Sequence, residues 1–299
     1  MEQNAAKEQS IAMEQDTTME QTAKPNLLRK SDILADLSGV IRWNDTKLTK
    51  RAFSSSGSRP EDFYRAVSAW MDDPVNNVLC LLTPSARYFP ACLVNIVCGM
   101  ADTLHSTRQA AAIITFGGGK RSYAVVSRYP MGEPKDPSPL DKTRSFVCTV
   151  IAQLVDALPD AFEDPDGALA EGEGDKVLAA IRAKKEEKFE FPITIDEAVR
   201  VIKALVNILS REMKLFFVFE GCDALTRFDG YDQFGRVYDQ TLTSQLADLL
   251  CFLAAPREFG RARKLLWVGP ANSMPIKKVK LEVGHGAFRI VDHPEDWNW

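Results

Sequence analysis

Four short runs made almost wholly of apolar residues recur along the chain: "NNVLCLL" (76–82), "AAAIITF" (110–116), "KLFFVF" (214–219) and "RKLLWVG" (263–269). None alternates polar with apolar residues, so each is expected to be a strand covered on both faces. Between them lie segments whose apolar residues fall at helical spacing. "RPEDFYRAVSAWMDD" (59–73) has an early proline and acids and puts Phe63, Val67 and Trp70 on one face. "PACLVNIVCGMADTLH" (90–105), "KTRSFVCTVIAQLVDALPDAF" (142–162), "TIDEAVRVIKALVNILSREM" (194–213) and "TSQLADLLCFLAA" (243–255) behave alike. Strands alternating with helices over such a length predict an α/β fold, a three-layer sandwich around a mainly parallel sheet.

The remaining segments are less regular. "KKVKLEV" (277–283) alternates and is expected as an edge strand, and "VLAAIRAKKEEK" (177–188) as a surface helix. "YPMGEPKDPSPLD" (129–141) and the acidic "EDPDGALAEGEGD" (163–175) read as loops. Residues 1–24 are polar, with "MEQ" at 1, 13 and 19, and are expected as a disordered tail. Residues 25–58 are expected as a short helix, within "LLRKSDILADLSGVIRW", followed by a flexible linker around "SSSGS" (54–58). That helix either packs on the main domain, 59–299, or docks a partner or membrane surface.

Composition excludes several classes. A net charge of −4 does not fit an electrostatic nucleic-acid binder. The basic clusters "RAKKEEK" (182–188), "RARK" (261–264) and "KKVKLEV" are short and mixed with acids, so no nucleic-acid partner is expected. The six cysteines at 80, 92, 98, 148, 222 and 251 form no CxxC pair and sit mostly in apolar runs. They read as buried thiols of a reduced interior in preference to disulfides. Three histidines without HxxxH spacing give no metal centre. No apolar run reaches the roughly 20 residues of a membrane span, and a cytoplasmic location is expected, with the nucleus also open.

One stretch has the look of a phosphate loop. In "IITFGGGKRSYAVV" (113–126) three glycines and a lysine succeed an apolar run. A phosphate-binding loop needs G-x-x-x-x-G-K-[ST] between a strand and a helix, so that backbone amides, lysine and a magnesium-binding hydroxyl converge. With Gly119-Lys120 as the "GK", the first glycine position is Ile114 and the hydroxyl position is Arg121. The next residues, "SYAVVSRY" (122–129), read as a strand, so the glycine stretch is expected to be a hairpin turn.

In an open α/β sheet, ligands sit beyond the carboxyl ends of the strands. The first apolar strand leads through "TPSARYFP" (83–90) into a helix, which is the architecture of a phosphate loop. Here the chain resembles the NACHT-like STAND P-loop NTPases, most closely the nephrocystin-type N-terminal domains of filamentous fungi. The resemblance rests on "FYRAVSAWMDD" before "NVLCLL", on "KTRSFVCTVIAQLVDALPDAF", on "LFFVFEGCDAL" and on "KLLWVGPAN", and spans about residues 59–290. Family members carry a "GKPGSGKST" type loop at this place. In that frame Thr83 and Tyr88 stand where the two glycines belong, Phe89 where the lysine belongs and Pro90 where the hydroxyl belongs. Arg87 is the sole positive charge.

The same resemblance makes "LFFVFEGCDAL" the Walker B strand. Glu220 then stands for the magnesium-directing acid, Asp223 for the second acid, and Ala224 falls where the water-activating glutamate belongs. Acids just past a buried strand also cap helices or bind loop amides, and that structural role is the alternative for both. Gly269, Pro270 and Ala271 replace the polar residues that sense the γ-phosphate in the family.

These losses remove most of the charge stabilisation a phosphoryl transfer needs. The resemblance therefore implies a catalytically inactive NTPase-like domain, not an enzyme, with no catalytic residue and no cofactor. It would act as a regulator or scaffold through protein contacts, for example with a full-length STAND relative. The alternatives are a regulator that keeps weak ATP or GTP affinity with magnesium through Thr83, Arg87, Glu220 and Asp223, or an enzyme on an unrelated α/β fold. For the last, no G-x-S-x-G elbow or G-x-G-x-x-G fingerprint is present.

Overall fold

A computed structural model describes residues 30–38, 61–75, 77–83, 110–116, 138–158, 194–222, 225–232, 235–255, 263–270, 273–284 and 288–292. The elements, in chain order, are α1 (Lys30–Ser38), α2 (Glu61–Asp72), β1 (Val78–Thr83), β2 (Ala110–Phe116), α3 (Pro139–Asp156), α4 (Ile195–Glu212), β3 (Lys214–Glu220), β4 (Arg227–Asp232), β5 (Gly235–Tyr238), α5 (Gln240–Ala254), β6 (Arg263–Pro270), α6 (Met274–Val283) and β7 (Phe288–Asp292). The four apolar runs become β1, β2, β3 and β6, and with β7 they form one parallel sheet in the order β2-β3-β6-β1-β7.

Because successive residues of a strand face opposite ways, each central strand feeds two cores. On one face Val78 and Cys80, Ala111 and Ile113, Leu215, Phe217 and Phe219, and Leu265 and Trp267 join the buried residues of α3, α4, α5 and α6. Phe146 of α3 meets Phe219 edge-on, with ring centroids 5.1 Å apart. On the other face Trp70 of α2 packs edge-on against Phe216, centroids 5.9 Å apart. Helices on both sides of a parallel sheet give the three-layer α/β architecture that the alternation of elements predicts.

The helix limits have local causes. Ser138 caps α3 by accepting from the Asp141 amide, and Pro139 occupies the first turn, where its missing N–H costs nothing. The helix therefore starts three residues before the apolar periodicity marks it. Thr194 and Glu197 form a reciprocal capping box on α4. Asp239 caps α5 by accepting from the Leu242 amide at 3.0 Å.

Two consecutive residues at the start of β6 close the far ends of helices on opposite faces. Lys264, buried, donates to the Trp70 carbonyl at 2.8 Å and to that of Asp73, at the C-terminus of α2. Arg263, also buried, donates to the Ala255 carbonyl at 3.2 Å and lies 4.6 Å over the Phe252 ring, at the C-terminus of α5. Both positions satisfy carbonyls that a helix end leaves without partners.

The edge strand expected over 277–283 is a helix, α6. The alternation of Val279, Leu281 and Val283 is accidental: Val279 is buried with Ile276, while Leu281 is 83% exposed. The apolar period is that of a helix opened by Ser273 and Pro275. The ribbon β4–β5 and the edge strand β7 were not predicted. The helix expected within 25–58 exists as α1, with Leu37 buried in the main core and Lys30 donating to the Leu158 carbonyl at 2.6 Å. It packs on the domain, the first of its two readings. The tail 1–24, the linker, the helices at 90–105 and 177–188, the acidic loop and the glycine turn lie outside the described residues.

Candidate functional site

The strand order locates a crevice without reference to any motif. From β1 the chain crosses to β2 at the far edge of the sheet, whereas from β6 it crosses the other way, over β1, to β7. Neighbouring strands whose connections leave in opposite directions part the loops at their carboxyl ends, and this switch point is where open α/β sheets bind ligands. Here it falls between β1 and β6.

The walls of the crevice derive from the register. Thr83 pairs with Pro270, so the β1 and β6 ends are level. Glu220, the last residue of β3, pairs with Val268 on the other side of β6. Thr83 and Glu220, far apart in sequence, thus stand at one edge with a single strand between them. Two strand spacings and a two-residue offset separate their backbones by about 12 Å. Arg87 and Asp223, the other two residues of the expected site, lie outside the described residues, as do Tyr88, Phe89 and Pro90.

Beyond Glu220 the chain turns sharply. Gly221 takes a φ of +61°, a left-handed conformation open to glycine, and its amide donates to the Val268 carbonyl at 2.8 Å. Cys222 and Leu225 are both buried in the core, and the Leu225 amide donates to the Cys222 carbonyl. Thr143 of α3 reaches the Leu225 carbonyl. The β4–β5 ribbon, next in the chain, is closed at its base by the Asp239 amide donating to the Thr226 carbonyl at 2.7 Å. The Thr226 hydroxyl is buried without a hydrogen-bond partner.

On the β6 side, α6 begins beyond Pro270 and packs against α5, where its Lys278 pairs with Asp248 at 2.6 Å, and Lys280 acts electrostatically on Cys80. Ser273 occupies its N-cap position but makes no capping bond, and its hydroxyl is buried without a partner. These residues were not singled out in the sequence, although "NSMP" carries the cap-then-proline signature that marks a helix start.

The described thiols offer no nucleophile here. Cys80, Cys148, Cys222 and Cys251 are buried and form no disulfide. Burial pushes the Cys80 thiol far up, only weakly opposed by Lys280. It pushes Cys148 up to about 12 against Arg144, and Cys251 up to about 12 with help from Glu282. A thiol held protonated is inert. No described helix is long and apolar enough to cross a membrane.

No known family profile and no curated protein matches the chain. Among solved structures it is similar to a chain of the Drosophila ORC assembly bound to AT-rich DNA and Cdc6, with 12% identity, a TM-score of 0.32, and coverage of 92% of this chain and 35% of that one. It is also similar to a chain of Drosophila ORC bound to DNA, with 14% identity, a TM-score of 0.30, and coverage of 92% and 36%. The chain thus spans about a third of those it matches, and likeness of this extent carries nothing about activity, ligands or partners.

Proposed function

We propose that the chain is a catalytically inactive P-loop NTPase-like domain that acts through protein–protein contacts, as a regulator or scaffold. One observation carries this reading. The switch point of the sheet falls at the carboxyl end of β1, and the residues leaving that end, "TPSARYFP", hold no glycine, no lysine and no Lys-Ser/Thr pair. Phosphoryl transfer depends on backbone amides, a lysine and magnesium ligands gathered at this place.

A second reading draws on the placement of Thr83 and Glu220 at one edge: a regulator with weak affinity for ATP or GTP with magnesium, through Thr83, Arg87, Glu220 and Asp223. Phosphate release and thermal stability of the full chain, with and without Mg-ATP and Mg-GTP, separate the two. The inactive domain yields no phosphate above buffer and no magnesium-dependent shift in Tm. A shift that requires magnesium favours the second reading, and turnover sinks both. The expected partner is a full-length STAND relative, and co-purification with one defined relative tests that contact directly.

A further inference from the structure

The geometry points to a seat for a phosphate-class oxyanion at the N-terminus of α6, beyond the carboxyl end of β6. An α-helix begins with amides that have no partner inside the helix, and a cap or an anion ordinarily satisfies them. In α3, α4 and α5 the side chains of Ser138, Thr194 and Asp239 do so. In α6 the cap residue is Ser273, which is 1% exposed and makes no capping bond. Pro275 contributes no N–H, so Met274 and Ile276 carry the free amides of this turn, and among the described residues nothing accepts from them. The first turn bears no acid.

A second observation points to a ligand. The Ser273 hydroxyl is itself buried with no hydrogen-bond partner, on the residue at the N-cap of this helix. Across the edge, after β3, the buried Thr226 hydroxyl is also without one. Buried polar atoms left without partners are rare and call for an occupant. An oxyanion accepts from the two amides and from the Ser273 hydroxyl, and the partial positive charge at the helix end favours it. Lys277, exposed one turn in, adds a positive charge to this end of the helix. Phosphate or sulfate fits this donor set, and so does the phosphate of a nucleotide. The seat does not depend on the domain being inactive, because it uses neither magnesium nor the β1 loop.

The test is a thermal-shift titration of the full chain with inorganic phosphate, without magnesium, against chloride at matched ionic strength. At some tens of Kd the expected rise in Tm is on the order of 4 °C. AMP in place of phosphate decides the source: an equal or larger rise assigns a nucleotide phosphate, and none assigns the free ion. The variant Ser273→Asp places a carboxylate in the seat. It should raise Tm in chloride and abolish the response to phosphate, whereas a buried carboxylate without an anion seat lowers Tm. Ser273→Ala keeps the amides and should retain a weakened response. Selective ¹⁵N labelling of Met and Ile should show the Met274 and Ile276 amides moving with phosphate. Equal effects of phosphate and chloride, or an undiminished response in Ser273→Asp, overturn the proposal. Failure here leaves the hydrolysis test untouched, since that one is read with magnesium nucleotides.

Discussion

Replacing Lys264 with methionine isolates the contribution of one buried ammonium. Lys264 is 3% exposed and donates to the carbonyls of Trp70 and Asp73 at the end of α2. Hydrogen bonds from a charged donor contribute about 1.5–3 kcal/mol, and a cation at a helix C-terminus about 0.3–1 kcal/mol. Burial of the charge opposes both. Methionine keeps most of the stem that lies against Trp70, so the packing loss is small. The net loss at pH 7 is about 2–3 kcal/mol, or roughly 5–10 °C in Tm for a domain of this size. Urea denaturation of both proteins measures it.

The pH dependence tests the reasoning more sharply. Burial lowers the Lys264 pKa below its ordinary value; Lys214 adds to this, while Asp73 and Asp72 oppose it. Between the lowered pKa and the ordinary lysine value of about 10.4, the unfolded chain binds more protons than the folded one, so stability rises with pH through this window. The cost of burying the charge, present in full below the window, is relieved there, and the neutral amine still donates. Lys264→Met lacks that gain, so the gap between wild type and variant should widen from pH 7 towards pH 10. A gap that narrows would show that attraction to the acids outweighs burial, and a loss at pH 7 below about 0.5 kcal/mol would show that burial cancels the hydrogen bonds; either result refutes the account.

Two further outcomes are expected. Thr194→Ala breaks the capping box with Glu197 and should cost about 1 kcal/mol with an unchanged urea m-value, while Thr194→Ser should restore it. Alkylation at pH 8.5 and then peptide mapping should leave Cys80, Cys148, Cys222 and Cys251 unmodified until denaturant is added, because all four are buried and burial also raises the pKa of Cys80, Cys148 and Cys251. Rapid labelling of Cys148 in the native protein would contradict its place in the core.

The sheet was legible in the sequence because its strands are buried on both faces. "AAAIITF" and "KLFFVF" can satisfy that environment as they stand, and their order along the chain predicted the α/β class. The ribbon was not legible: "RFDGYD" and "GRVY" make a bulged pairing between Arg227 and Tyr231 and lack the alternation by which strands are read. In α6 a window begun at Lys277 kept the accidental period of two and cut off Ser273 and Pro275, which mark the helix start. Strand β7, short and partly exposed at Ile290, gave no apolar run. For the site, the sequence supplied a position and not a chemistry. Order of elements led to the end of β1, but which strands stand beside it depends on long-range pairing, and only the register brought Thr83 and Glu220 to one edge. Ser273 and Thr226 are recognisable only by missing partners, a property no residue carries by itself.

The consecutive cations at the entrance of β6 have a further consequence. Arg263 and Lys264 face opposite layers, and each meets carbonyls that its neighbour cannot reach. A slip of β6 by one residue would turn both to the wrong side and bury each charge without its acceptor. The dipeptide therefore acts as an indexing pin for the strand between β3 and β1. Set at the amino end, it determines which residues arrive at the carboxyl end: Val268 beside Glu220, and Pro270 beside Thr83. The geometry of the crevice is thus decided at the opposite pole of the sheet, a strand's length away from anything a ligand would touch.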